Sequence, residues 1–422
     1  MIRQYDALGE TVFRRQLANG LTVAVVKRQG FQRKLAYFVT DFGSIHTDFE
    51  FEGVEHHTPA GIAHFLEHKM FELPGRDVTA EFAAMGASVN AFTSYDMTAY
   101  YFHCTEKFDD NLRLLLEFVS TPYFEEESVH REQGIIDQEI GMNADSPDTQ
   151  GFERLMGTMY RQHPIRVPIL GTSQSIRQIT PDLLHTVHRA FYTPANMILC
   201  VVGDVDGEQV CAIAEEVLGA EKKPVGRKLR PWQEDMTVDG DCGCRMEVAM
   251  PAFQLGFKCE PIGTGAEAIR QEIVGDLAAE ALFGESSRLY LRLYEEGLID
   301  SSFGGGFETI DGCAMLTCGG DSEDAEAVRQ AILQQAQALL AKGITDGDFM
   351  RMKRSAMGRR IRDLDSFDST AFRVCAYHMS DFDYFGFPAE YAAVQVEDIL
   401  EFLQRVVRQE RCALSVIDPL SE

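Results

Sequence analysis

The pattern of helices and strands that hydrophobic periodicity predicts runs through the chain twice. A helix over residues 273–283 stands where one over 59–71 stood, and one over 323–340 matches one over 108–119. A helix over 348–362 matches one over 125–142, and an apolar strand over 412–417 matches 197–203, all at an offset of about 210 to 220 residues. That spacing suits two tandem copies of one domain of the α+β class. The length agrees, since 422 residues exceed what one hydrophobic core usually supports. Between the copies the composition turns to Lys222-Lys223-Pro224, Arg227-Lys228, Arg230-Pro231 and the only tryptophan, Trp232. The expected division is therefore a first domain over 1–221, a linker over 222–244 and a second domain over 245–422.

The first copy opens with strands over 11–17, 21–27 and 35–41, the first two joined by the turn Ala18-Asn19-Gly20, which reads as an antiparallel start. A helix follows, with Thr58-Pro59 as cap and first turn, Ile62, Phe65, Leu66 and Met70 at helical spacing, and Pro74-Gly75 as its end. A short helix over 78–85, a strand-like stretch over 88–104 and the strand over 197–203 complete the half.

Composition excludes several partners. There are 39 Lys and Arg against 66 Asp and Glu, a formal charge of -27, and so acidic a chain is repelled by nucleic acid and by anionic membrane surfaces. No stretch reads as a signal peptide or a membrane span, so a cytoplasmic protein of bacterial type is expected. Ten cysteines contain no CxxC pair. Cys200, Cys259 and Cys412 sit in apolar runs as small hydrophobes, and Cys242-Gly-Cys244 reads as two reduced thiols beside a turn, because a structural zinc site wants four ligands.

Chemistry concentrates on the helix over 59–71. His64-Phe65-Leu66-Glu67-His68 places two imidazoles one turn apart on one face, roughly 6 Å along the axis, where they can share a metal ion. Glu67 reaches the same face three residues after His64 and suits a general base acting on water; this is the inverse of the H-E-x-x-H zinc helix. One helix face cannot close a tetrahedron, so the third ligand must come from elsewhere. Glu139, in Ile135-Ile136-Asp137-Gln138-Glu139-Ile140, is the candidate, expected to face the interior from among aliphatic residues. Glu132 lies two turns before it on the same face, either as a further catalytic group or as a support for the ligands.

The run His64 to His68, followed by Glu139, Asp145-Ser146-Pro147, His163-Pro164, Gly171-Thr172 and Phe191-Tyr192-Thr193-Pro194-Ala195-Asn196-Met197, resembles in order and spacing the pitrilysin or insulinase family of zinc peptidases. The resemblance is strong in the first half and weak in the second. Within the family, the stretch from Gly61 to Glu72 looks most like the zinc-bearing, YmfH-type branch of paired bacterial processing proteases, relatives of the β-like subunits of mitochondrial processing peptidase. The resemblance implies α/β-roll domains forming half of a clam-shaped chamber, with zinc on an inner wall. It also implies that Asn90, Ala91 and Phe92, in the stretch Asn90-Ala91-Phe92-Thr93, lie on an edge strand that binds substrate as an added strand; read by itself, Asn90 is equally a turn residue.

The second half departs from the family. Complete proteases carry an Arg and a Tyr there to hold substrate and steady the oxyanion, and the matching positions here are Tyr294 and Asp300. Either zinc suffices, or Arg288 or Arg292 substitutes, or a second copy or a related chain supplies the pair as a homodimer or heterodimer. Three weaker features read as structural: His56-His57 as a solvated loop, Gly304-Gly305-Gly306 as a glycine run without a phosphate-loop Lys, and the basic residues between Arg351 and Arg362 as a helix face paired with acidic neighbours. The functional expectation is a zinc endopeptidase subunit acting on extended or unfolded peptides. The alternatives are a non-catalytic assembly subunit that retains the fold and a zinc hydrolase of small molecules.

Overall fold

The computed structural model describes residues 1–420. It contains two compact units, each built from more than one stretch of chain: residues 1–140, 168–231 and 361–385 form the first, and 141–167, 232–360 and 386 onward form the second.

A seven-stranded sheet carries the first unit, in the spatial order Ile2–Tyr5, Glu10–Gln16, Thr22–Lys27, Met197–Gly203, Lys34–Thr40, Thr98–Cys104, Ala87–Thr93. The opening is antiparallel only for its first pairs. Met197–Gly203 inserts between Thr22–Lys27 and Lys34–Thr40, parallel to the former and antiparallel to the latter. Every residue of that strand is buried, which suits a central position flanked on both edges. One face, with Val23, Ala36, Phe38, Leu199 and Tyr100, packs against helices Ile62–Met70 and Phe108–Ser120 in a single core. The other face is covered by helix Phe367–Met379, from the second half of the sequence.

The second unit repeats the plan. Its five strands run Cys242–Met246, Cys412–Pro419, Ala252–Cys259, Cys313–Asp321, Gly304–Ile310, again with the first pair parallel and the rest antiparallel. These match the last five strands of the first sheet one for one. Here the covering helix is Pro147–Met159, from the first half of the sequence, lying on Cys412–Pro419 and Ala252–Cys259. Neither covering helix was anticipated from the sequence, and the two together explain why neither unit is one continuous stretch of chain.

Candidate metal centre

The metal-motif helix, Ile62–Met70, begins at Gly61, not at Thr58 as the sequence suggested. The Thr58 hydroxyl donates to the Thr47 carbonyl at 3.0 Å and leaves the helix end to glycine. Gly61 has φ 90°, and a Cβ there would lie 2.4 Å from the Leu170 carbonyl oxygen, so only glycine brings the chain into the helix at this point. Ile62, Phe65, Leu66 and Met70 bury one face, which anchors the helix and turns His64, Glu67 and His68 toward its other side.

The neighbouring helix, Glu126–Ala144, buries only Ser128, Val129 and Ile136. Glu139 therefore does not point into an apolar interior as expected. Val129 and Ile136 face the core, and Glu132 and Glu139, each three residues further on, fall on the flank of the helix; the Glu139 side chain is 36% exposed. From that flank its carboxylate reaches both histidines, with Oε1 at 3.6 Å from His64 Nε2 and Oε2 at 3.7 Å from His68 Nε2.

These separations decide what the group can hold. They are too long for hydrogen bonds, while two atoms bonded at about 2.0–2.1 Å to one tetrahedral centre lie about 3.3–3.5 Å apart. One donor atom from each of His64, His68 and Glu139 falls within 4.8 Å of the others, the one such group among the described residues. Glu132 Oε1 lies 2.8 Å from His68 Nδ1, which directs the opposite nitrogen, Nε2, toward Glu139. The His64 Nδ1 is buried and has no hydrogen-bond partner among the described residues. Two nitrogens and a carboxylate match the three protein donors of a catalytic zinc site.

The electrostatics agree. Burial, reinforced by neighbouring His68, lowers the His64 pKa to about 4 and keeps its imidazole neutral, as a ligand must be. Burial also opposes charge on His68, but the hydrogen bond and charge of Glu132 outweigh it and the pKa is raised. Glu67 is raised by burial and by Glu139, against the opposing effect of a hydrogen bond from Thr93. Glu67, Glu132 and Glu139 crowd carboxylates around two imidazoles, an arrangement that a divalent cation held there would balance.

Strand Ala87–Thr93 is the free edge of the first sheet, hydrogen-bonded only to Thr98–Cys104. Alternation divides its residues. Asn90 and Phe92 point to the face carrying Tyr37 and Tyr101, with the Phe92 ring 6.5 Å from Tyr37 and 6.0 Å from Phe372. Val89 and Ala91 pack on the core side, and Thr93, on that side too, donates from Oγ1 to Glu67 Oε2 at 2.7 Å. Of Asn90, Ala91 and Phe92, only Ala91 thus turns its side chain toward the motif helix. Thr93 belongs to the stretch expected on the edge strand, but its contact with Glu67 was not foreseen; its i+2 relation to Ala91 is the signal that identifies it.

The remaining candidates lie elsewhere. His56 and His57 belong to the strand Val54–His57 and not to a loop; His57 Nδ1 pairs with Asp48 at 2.5 Å and His56 stacks on Phe49. In the second unit Tyr294 is 52% exposed and stacked on Tyr290, and the Asp300 carboxylate accepts from the Ser302 backbone and hydroxyl. Arg288 and Arg292 lie on helix Arg288–Glu295. Gly304-Gly305-Gly306 opens an edge strand. On the basic helix Arg359 pairs with Glu280 and Arg360 with Glu272 and Asp276. None of the ten cysteines is joined in a disulfide, and no helix among the described residues is long and apolar enough to cross a membrane.

Two family profiles match the chain: that of insulinase, peptidase family M16, over residues 53–173, and that of the peptidase M16 inactive domain over residues 178–356. The chain is 35% identical over 428 aligned residues to a Bacillus subtilis (strain 168) protein named uncharacterized zinc protease YmfH, covering 99% of each chain. It is 26% identical over 67% of its length to an uncharacterized zinc protease of Rickettsia felis, covering 66% of that protein. Among solved structures, a putative M16-like peptidase from Alicyclobacillus acidocaldarius superposes with a TM-score of 0.93 at 32% identity, over 97% of this chain and 99% of that one. A Helicobacter pylori protease shares the fold at a TM-score of 0.81 and 21% identity, over 97% of this chain and 99% of that one. The two sheets built on one plan, the inverted histidine motif on its helix and a full-length relative at this identity place the chain in the insulinase family of peptidases, family M16.

Proposed function

We propose that this chain is a zinc-dependent endopeptidase subunit that cleaves extended or unfolded peptides. The observation that carries the reading is the convergence of the His64 and His68 Nε2 atoms on the Glu139 carboxylate at 3.6 and 3.7 Å, with the Glu67 carboxylate on the same helix face. His64, His68 and Glu139 would hold the metal. Zinc, when bound there, supplies a Lewis acid that polarises the scissile carbonyl and acidifies water.

The protein's own groups do the rest. Glu132 fixes the His68 ring, Thr93 fixes the Glu67 carboxylate, and Glu67 takes the proton from the attacking water and passes it to the departing amine. The free edge at Ala87–Thr93 offers main-chain groups to an extended peptide beside that carboxylate, which favours unfolded substrates over folded ones. The stretch matched by the inactive-domain profile, residues 178–356, carries Tyr294 and Asp300 where complete proteases have the Arg and Tyr. A second subunit of the same family, a copy or a relative, therefore completes the oxyanion pocket. A cytoplasmic location fits the absence of an apolar helix of membrane length among the described residues.

The test is metal analysis of protein purified without added zinc, then cleavage of a peptide library with and without whatever co-purifies. Glu67→Gln is expected to keep the zinc and lose about 10²- to 10⁴-fold in rate, the usual contribution of a positioned base. Wild-type protein that binds zinc but cuts nothing, alone or with its partner, would establish a scaffold subunit instead.

A further inference from the structure

Lys69 falls on the buried stripe of the motif helix, at i, i+3, i+4 and i+7 with Ile62, Phe65 and Leu66, where the periodicity calls for an apolar residue. Its side chain is only 1% exposed. Lysine almost never occupies such a position unless it is paired, and here it is paired twice. Its ammonium donates to the Glu72 carboxylate and to the Ser128 hydroxyl, and the Ser128 hydroxyl donates in turn to Glu72. Arg131 closes the cluster on Glu72 from outside at 3.3 Å.

The cluster joins two helices at a place that matters for the metal. Glu72 follows the motif helix, whereas Ser128 and Arg131 belong to Glu126–Ala144. His68 and Lys69 are consecutive residues; each is tied to that second helix, His68 through Glu132 and Lys69 through Ser128, one turn apart. Two ties at adjacent residues fix the sliding and rotation of one helix against the other, which a single tie does not. Glu139 stands seven residues beyond Glu132, about 10 Å along the same axis, so its reach to both Nε2 atoms depends on that register.

We propose that Lys69, with Ser128 and Glu72, is a positioning cluster that sets the register of the two ligand-bearing helices and thereby the affinity for the metal. The inference rests on the metallopeptidase reading above, and deepens it by naming residues that touch neither metal nor substrate.

The experiment measures the zinc dissociation constant of the full-length protein by competition with a chromophoric chelator, together with the melting temperature, for wild type, Lys69→Met, Lys69→Arg and Ser128→Ala. Removing one partner of an ion pair is costly when it strands the other charge in the interior, but Glu72 is 35% exposed and keeps Arg131 as a partner, so Lys69→Met should melt close to wild type. Its zinc dissociation constant is expected to rise roughly 10- to 100-fold, the usual effect of losing a group that supports metal ligands. Ser128→Ala should shift the constant the same way by less, and Lys69→Arg should recover part of the loss. A folded Lys69→Met that binds zinc as wild type does would overturn the proposal. Should that variant fail to fold, an unchanged constant in Ser128→Ala would overturn it equally. Wild-type protein that binds no zinc would instead refute the metallopeptidase reading.

Discussion

The contact between Glu132 and His68 allows a graded test of how the protein prepares its ligands. Glu132 Oε1 lies 2.8 Å from His68 Nδ1, with the two side chains 17% and 27% exposed, so the bond is partly shielded from water. A hydrogen bond to a charged group contributes about 1.5–3 kcal/mol, and a neutral one about 0.5–1.5 kcal/mol. Glu132→Gln keeps the shape and an acceptor but removes the charge, which costs about 1 kcal/mol, or roughly fivefold in zinc affinity. Glu132→Ala removes the acceptor, frees the ring to rotate away from Glu139, and should cost roughly 10- to 100-fold. The assay is chelator competition at fixed pH, with circular dichroism to establish that both variants are folded. The order wild type, Gln, Ala is the substance of the prediction. A folded Glu132→Ala with a zinc dissociation constant within about twofold of wild type would refute the idea that Glu132 orients His68.

Two further outcomes follow from individual contacts. Thr93→Val keeps the shape of the side chain but deletes the 2.7 Å donor to Glu67, and should lower kcat about tenfold at unchanged zinc content, with Thr93→Ser close to wild type in steady-state kinetics; equal kcat in all three would remove Thr93 from the mechanism. His188 is 5% exposed, donates from Nε2 to the Val119 carbonyl at 3.1 Å, and burial holds its pKa down at about 4. The unfolded chain takes up that proton near pH 6.5 and the folded one only near pH 4, so His188 contributes a loss of stability as pH falls between those values, up to about 3 kcal/mol. Urea unfolding from pH 7.5 to 4.5 should therefore show a shallower acid decline in His188→Gln than in wild type, and parallel curves would refute the assignment.

What the sequence discloses and what it hides divide along chain distance. The His64 to His68 motif rests on spacings within one helical turn, and the elements of the two-fold repeat were each read from periodicities of a few turns; both are present in the three-dimensional arrangement, although each unit takes a helix from the other half of the chain. Glu139 was identified by its place among aliphatic residues, yet it reaches the histidines because Ile136 and Val129 turn inward and carry it to the flank; the residue was legible and its environment was not. The parallel insertion of Met197–Gly203 between two earlier strands joins residues more than 150 positions apart, and an all-apolar run gives no information about which neighbours it takes. The covering helices Pro147–Met159 and Phe367–Met379 were hidden for the same reason, since the sheet each one packs on is formed largely by the other half of the chain. Lys69 is the instructive middle case. A lysine in an apolar stripe is a local conflict visible in the sequence, and such a conflict is a demand for a partner; only the fold could supply Ser128, 59 residues away, and so turn the anomaly into a link between the helices that carry the ligands.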